Sequence, residues 1–490
     1  MHRPPLARGP VLSAAAAMAI VLALTSNRYG YHRDELYFRM LDPAWGYVDQ
    51  PPLTPLLARA FSAVIADEVW AIRIPAMLAA VASVLVVALI TREFGGGRSA
   101  QAWCAWGYAF ASLPLAFGHI LLTASLDLVV WPAVALFAVR AVLREQPAWW
   151  LAAGAVVGVS TYNKLLVVLL VAALAAGLLL VGPRRELVSR GLLAGAALAV
   201  VIALPNLVYQ ASHGWPQLEM GAALAENNAD EVRVMMWPFL FLALGPPLAL
   251  VAGAGLVALV RRPAWRRARF LAAAFPVLLV LSWIAAGQAY YPSGLVTVLF
   301  AVGCVPLAEA LSRSRRLWRV LAVAAVVVNA AICLTVSLPV LPLSALGSSP
   351  VLGVNPAVAD QVGWPEYVRQ VADVYDALPA ADAAGAVVIA TNYGEAGAID
   401  RYGPALGLPK VYSGQNELYH SARPPDDARV AIIVGAQADS AARSFGSCDV
   451  AARLDNGVDV DNEEQGEPVM VCRDPQLPWD ELWPRFQHLD

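Results

Sequence analysis

Charge is what this sequence has least of. Only 14% of its 490 residues are charged, against about 25% in an ordinary soluble domain. Just two of them are lysines, Lys164 and Lys410. The five cysteines fall in no metal-ligand spacing. A single soluble core of this length needs polar faces between its apolar stripes, and the first two thirds of the chain largely lack them. What takes their place is apolar sequence, 59% of the whole.

That apolar sequence comes in runs of about 17 to 25 residues, the length a helix needs to cross roughly 30 Å of hydrocarbon. Eleven runs are read as spans, near 10–26, 70–91, 99–118, 127–143, 148–163, 165–181, 191–209, 236–260, 269–287, 292–311 and 317–338. The loops between them test the count. With Arg3 and Arg8 inside, alternate loops carry Arg92 and Arg98, then Arg144, then Arg184, Arg185 and Arg190. Arg261, Arg262, Arg266, Arg267 and Arg269 follow, and then Arg313, Arg315, Arg316 and Arg319. The intervening loops are poor in basic residues, which is the positive-inside asymmetry. It predicts a cytoplasmic N-terminus in a plasma membrane and an extracytoplasmic tail. The arginine clusters are thereby accounted for as orientation signals, and no nucleic-acid partner is expected. The basic start followed by Val11–Thr25 mimics a signal peptide, but no clear small-x-small cleavage site follows, so an uncleaved first helix is expected.

The predicted fold class is mainly α, a polytopic membrane protein of about eleven transmembrane helices with a C-terminal extracytoplasmic α/β domain. Residues 1–338 form the membrane domain, within which 27–69 is a long first outer loop, and 339–490 form the outer domain. The net charge of −3 hides a split, because beyond residue 340 there are 9 basic and 22 acidic residues. In the first loop, Asp34–Met40 and Pro52–Ile65 read as short helices whose apolar side could lie along the membrane surface. A second outer loop is expected at 210–233. In the tail, strands are predicted at 386–390, 430–434 and 468–472, with helices at 364–377 and after Tyr393. Cys104, Cys304 and Cys333 lie in spans as packing residues. Cys448 and Cys472 lie outside, where a disulfide is chemically allowed.

Polar groups near a bilayer are costly, so those at span ends are functional candidates. Asp34, Glu35, Asp49, Gln50, Asp127, Lys164, His213 and Arg233 all fall at the outer ends of spans or in outer loops. Three segments stand out in order: Gly30-Tyr-His-Arg-Asp-Glu-Leu-Tyr37, Trp45-Gly-Tyr-Val-Asp-Gln-Pro-Pro-Leu53 and Thr123-Ala-Ser-Leu-Asp127. With Pro205-Asn206 and His213-Gly-Trp215, this set resembles glycosyltransferase family 39 of the GT-C fold. That group includes the protein O-mannosyltransferases and the lipid A aminoarabinose transferases. The resemblance spans about 27–215. The tail is similar to that of uncharacterised actinobacterial members through Asn392-Tyr-Gly-Glu-Ala396 and Tyr412-Ser-Gly414.

The resemblance implies an inverting membrane enzyme that takes a sugar from a polyprenyl-phosphate carrier to an acceptor in the cell envelope. Asp34 would be the general base for the acceptor hydroxyl, with Glu35 holding the acceptor or tuning the charge. The plain structural alternative is that this pair caps a juxtamembrane helix. Lys164, Arg33 and Arg233 are the cations suited to a leaving phosphate; a lysine at a helix end also serves by snorkelling. Asp49, Gln50, Asp127 and His213 are the remaining donor-binding candidates. The aminoarabinose branch has a lysine before its Pro-Pro pair, and here Gln50 stands there, without charge. Asp34 and Asp127 could hold a divalent cation, although oxygen ligands on scattered loops leave no spacing signature.

Other motifs are set aside. His32-Arg-Asp34 lacks the Asn spacing of a kinase loop. Gly95-Gly-Gly97 follows no strand and precedes no Gly-Lys. Asp459-Val-Asp461 sits in an acidic outer tail where nucleotide sugars are scarce. The rival functions are a transporter or flippase of lipid-linked sugars, which would need polar residues deep in the bilayer, and a non-catalytic envelope assembly protein.

Overall fold

A computed structural model describes residues 3–490. The chain falls into two compact units. The first comprises residues up to Ser26, Gln50–Leu53 and Arg73–Leu338; the second comprises Asn27–Asp49, Thr54–Ile72 and Pro339–Asp490. Most of the first outer loop, assigned from sequence to the membrane domain, is thus part of the second unit.

The first unit is a helical bundle with helix in each of the eleven expected spans, although 99–118 is broken at Phe110 into Arg98–Ala109 and Ser112–His119. Six are single helices of 18 residues or more: Arg8–Thr25, Ile74–Glu93, Thr123–Arg144, Arg190–Ser212, Ser293–Arg313 and Arg316–Ser337. Arg8–Thr25, Arg190–Ser212 and Arg316–Ser337 show the exposure pattern of lipid-facing helices, whereas the other three are more than half buried in the bundle. On Arg190–Ser212, Leu193, Val200, Val201, Leu204 and Val208 are each more than half exposed, a face that water would not tolerate at this extent. Ala148–Ser160, Val167–Leu180 and Phe270–Ala285 are shorter, about 20–24 Å at 1.5 Å per residue.

Two expectations are corrected here. The segment 236–260 is not one straight span: Pro216–Leu242 and Pro246–Arg261 meet at 92°. Gly245 at the corner has φ 84°, and a Cβ there would collide with Asn329, whose side-chain amide donates to the Leu244 carbonyl at 3.0 Å. Pro246 and Pro247 then open the next helix, because proline cannot continue the previous one. The outer loop expected at 210–233 is largely helix, as the first of this pair begins at Pro216.

Near one end of the bundle Glu93 is fully buried and takes Arg3 at 3.2 Å, Arg140 at 3.0 Å and Arg144. One carboxylate therefore ties together the N-terminal segment and two helices.

The second unit is built on a five-stranded sheet: β1 Ala386–Ala390, β2 Val411–Ser413, β3 Val430–Val434, β4 Phe445–Arg453 and β5 Pro468–Pro475. The order is β2-β1-β3-β5-β4. β2, β1 and β3 are parallel, while β5 runs antiparallel to both β3 and β4. β1 and β3 are buried along their whole length, as strands covered on both faces must be. The Trp364–Asp376 and Tyr393–Tyr402 helices cover one face, and Trp479, Leu482 and Trp483 pack on the other. Cys448 and Cys472 are register partners on β4 and β5 and are joined by a disulfide.

The first outer-loop helix, Arg33–Met40, was expected to offer its apolar side to the membrane surface. Instead Leu36, Tyr37 and Phe38 are buried within the second unit. A Cβ at Gly397 would lie 2.7 Å from that of Leu36, so the glycine permits the Tyr393–Tyr402 helix to lie directly against it. Burial against a second helix covers more apolar surface than a membrane interface offers.

Candidate functional site

The Arg33–Met40 helix begins at His32, whose backbone is extended. Its ring Nδ1 accepts the Asp34 amide at 3.2 Å, and the Glu35 carboxylate returns to accept the His32 amide at 2.8 Å. This is a capping box, which satisfies amides that the first helical turn leaves without partners. Glu35 is completely buried by it. The two adjacent carboxylates are therefore unlike. Glu35 is engaged by the cap, whereas Asp34 keeps 29% of its side chain exposed and accepts a hydrogen bond from the Tyr393 hydroxyl at 3.0 Å.

Tyr393 stands at the first position of its own helix, whose cap is Asn392 with Glu395. The Arg33 guanidinium lies 5.0 Å from the Tyr393 ring centre and pairs with Glu463. Tyr37 packs against the same ring at 4.9 Å and donates to Asp49 at 3.0 Å. The Glu417 amide donates to the Tyr37 oxygen at 3.3 Å, and the Glu417 carboxylate accepts the Val48 amide at 2.9 Å. Burial pushes Asp49 up to about 7, with the Tyr37 hydroxyl opposing the rise. Behind Asp34, His32 Nε2 lies 3.5 Å from Asp360. Burial works against charge on this pair, yet the contact raises His32 and holds Asp360 below the usual carboxylate range. The result is a partly exposed carboxylate held by a phenol, with an arginine and a histidine beside it.

A second polar group lies within the bundle. Asn163 donates to the Thr123 carbonyl at 2.7 Å, tying the turn that carries Lys164 to the start of the Thr123–Arg144 helix. Lys164 donates to the Tyr290 hydroxyl at 2.8 Å, and its ammonium lies 5.2 and 5.4 Å from the ring centres of Tyr290 and Tyr291. Lys164 acts electrostatically on Asp127, whose Oδ2 is buried with no hydrogen-bond partner among the described residues. Asp127 and Tyr290 line a small cavity of about 30 Å³ whose walls are otherwise mainly aromatic and aliphatic, with Phe117, Trp131, Leu166 and Tyr291. An ammonium held on two aromatic faces offers a donor to a phosphate, and the unpartnered Asp127 oxygen offers an acceptor to a hydroxyl.

The sequence candidates thus divide. Arg33, Asp34, Glu35 and Asp49 are brought together in the second unit, and Asp127 and Lys164 in the first. Gln50 is buried in the first unit. His213 and Arg233 join neither group. His213 ends its helix stacked on Tyr209 at 4.1 Å. Arg233 lies over Trp283 at 4.9 Å and within 3.7 Å of Asp230. Tyr393, Asp360, Glu417 and Tyr290 were not singled out from sequence. The Asn392-Tyr-Gly-Glu-Ala396 motif contains Tyr393, and no sequence signal pointed to the other three. Among the described residues, no group of three or more His, Cys, Asp or Glu side chains is placed to hold a metal ion.

Residues 49–209 match the family model of dolichyl-phosphate-mannose-protein mannosyltransferases. The structure is similar to that of ArnT from Cupriavidus metallidurans bound to undecaprenyl phosphate, with a TM-score of 0.61 and 16% identity over 95% of this chain and 98% of that one. The Archaeoglobus fulgidus oligosaccharyltransferase matches more distantly, at 0.45 and 12% identity, over 88% of this chain and 69% of that one. No match is found among curated proteins. At 16% identity the likeness to ArnT shows the fold: a polytopic GT-C bundle followed by a smaller sheet domain.

Proposed function

We propose that this chain, a multi-pass membrane protein of the GT-C superfamily of glycosyltransferases, moves a monosaccharide from a polyprenyl-phosphate carrier to a hydroxyl of an extracytoplasmic envelope acceptor. Its place is the bacterial cell membrane, with the N-terminus cytoplasmic and the second unit outside. The acceptor oxygen attacks the anomeric carbon as the bond from that carbon to the phosphate oxygen breaks. The polyprenyl phosphate leaves with the bonding pair, and the configuration inverts. Asp34 takes the hydroxyl proton. Lys164 offsets the charge growing on the leaving phosphate, and Asp127 receives sugar hydroxyls.

Asp34 carries this reading. It is the accessible member of the carboxylate pair, and Tyr393 fixes one of its oxygens at 3.0 Å. A base must be held before it can be effective, since its orientation is then not lost in the transition state. Arg33 and Asp49 support that arrangement through Tyr393 and Tyr37. The mannosyltransferase match over 49–209 and the undecaprenyl phosphate named with ArnT support a lipid-phosphate donor.

The test is transfer by purified protein in liposomes, using labelled polyprenyl-phosphate monosaccharides and an envelope extract. Label passing from carrier to a water-extractable or envelope product supports the reading. Carriers crossing the bilayer intact, with no transfer, would replace it with a flippase.

A further inference from the structure

The second unit contains a polar cleft that plays no part in the reaction just described. Its position follows from the sheet. β1 is flanked by β2 and β3, all parallel, so the three strands end on one side. The helix after β1, Tyr393–Tyr402, packs on one face with Trp364 and Ile399. The short helix after β3 places Ala438 on the other face with Trp479 and Phe445. Connections leaving neighbouring parallel strands towards opposite faces make a topological switch point, and the crevice beyond the strand ends is where open α/β sheets bind ligands. A cleft of about 330 Å³ lies there, reached by Thr391 after β1, Gly414 after β2 and Gln437 after β3.

Its chemistry is specific. Arg443 and Arg485 are both in the wall, and no Asp or Glu is. Arg443 is anchored by donating to the Ser440 hydroxyl at 2.7 Å. Arg485 has no hydrogen-bond or ion-pair partner among the described residues. His488 is held on one side, where its Nδ1 donates to the Phe486 carbonyl at 2.9 Å. That bond leaves Nε2 as an acceptor, and Nε2 is buried without a partner. Unsatisfied buried polar atoms cost stability and call for a ligand or ordered water. Thr391, Ser440 and Ser444 add hydroxyls to the same wall. Two guanidinium groups suit an anion, while a histidine acceptor among hydroxyls suits a hydroxyl-rich body.

We propose that this cleft binds an anionic monosaccharide unit, its carboxylate or phosphate on Arg443 and Arg485 and a ring hydroxyl donated to His488 Nε2. The unit is either a sugar phosphate or the uronic acid residue of a glycan. The site is independent of the transferase reading, because none of its residues belongs to the Asp34 or Lys164 groups.

Binding is measured by isothermal titration on the full-length protein in detergent, with glucuronate, glucose 1-phosphate, neutral glucose and inorganic phosphate as probes. At least one anionic sugar is expected to bind, with glucose and phosphate tenfold or more weaker. Arg485→Ala and Arg443→Ala should each weaken that binding about tenfold, and His488→Ala should erase the preference over inorganic phosphate. Both arginines are exposed, so the fold is not at stake, and Asp34→Asn should leave binding unchanged. Preference for glucuronate would indicate a glycan residue, and preference for glucose 1-phosphate a sugar phosphate. No binding of either, or equal binding by the arginine variants, would overturn the site. Phosphate binding as tightly as glucose 1-phosphate, with glucuronate silent, would overturn the saccharide assignment.

Discussion

Tyr393 donates a hydrogen bond of 3.0 Å to Asp34 across 359 residues of sequence. The phenol comes from the helix after β1 and the carboxylate from the helix after the first span, and each helix is fixed at that end by a capping box. A hydrogen bond to a charged acceptor contributes about 1.5–3 kcal/mol, or roughly 10- to 150-fold in rate if it is fully expressed at the transition state. Tyr393→Phe is expected to lower kcat by a factor in that range while leaving KM for the lipid donor nearly unchanged. Steady-state transfer kinetics check the split.

Lys164 rests on Tyr290 and Tyr291, and its partner in hydrogen bonding is neutral. Its charge is thus available to an incoming phosphate. Lys164→Met should reduce transfer by about 10²–10³-fold, the usual effect of removing one donor from a developing anion. Lys164→Arg should recover part of it. Rates at saturating donor, compared with carrier affinity, separate a catalytic loss from a binding one.

How much of this was legible beforehand depends on range. Membrane spans were readable because hydrocarbon admits few solutions: about 20 apolar residues, with arginines on one side. The corner at Gly245-Pro246-Pro247 was written in the sequence as well, but the apolar run around it masked the signal. β1 and β3 were visible as short apolar runs. β2 has only three residues, and β4 is mostly exposed with Phe445 as its one buried residue, so neither carries a hydrophobic signature. At the site, the pair Asp34-Glu35 was legible; Glu35 realises the capping alternative, while Asp34 stays partly exposed. Tyr393 lay within a quoted motif, but its pairing with Asp34 was beyond reach, because no local pattern ties a phenol to a carboxylate so far up the chain.

Glu464 is buried behind Arg33, and burial raises its carboxyl from 4.5 to about 7; Arg33 opposes the rise and the neighbouring Glu463 adds to it. The sign follows from linkage. Below about pH 4.5 both folded and unfolded chains hold this proton, and nothing is lost. Between about 4.5 and 7 the folded state holds it more tightly, so stability falls with rising pH, by on the order of 3 kcal/mol in all. Burial also raises Glu395 well above its usual range, with Glu464 second among the causes. Glu464→Gln should remove this slope, making the variant more stable than the wild type at pH 8 relative to pH 4.5. Urea titrations at the two pH values, followed by tryptophan fluorescence, read the difference.

Glu93 is the single buried anion among Arg3, Arg140 and Arg144. Removing one side of a buried charge cluster costs about 3–5 kcal/mol, because the remaining charges lose their compensation. Glu93→Gln is expected to lower the thermal aggregation temperature of the solubilised protein markedly. Arg3→Ala, whose partner keeps two other cations, should have a smaller effect.

The role of Asp34 as base is tested most directly by Asp34→Asn, which keeps the size and the Tyr393 contact but cannot accept the proton. In liposomes with labelled polyprenyl-phosphate sugar and acceptor, transfer should fall by at least about 10²-fold, with carrier binding and the melting temperature unchanged. Transfer at the wild-type rate would contradict the account and move the proton acceptor to another carboxylate.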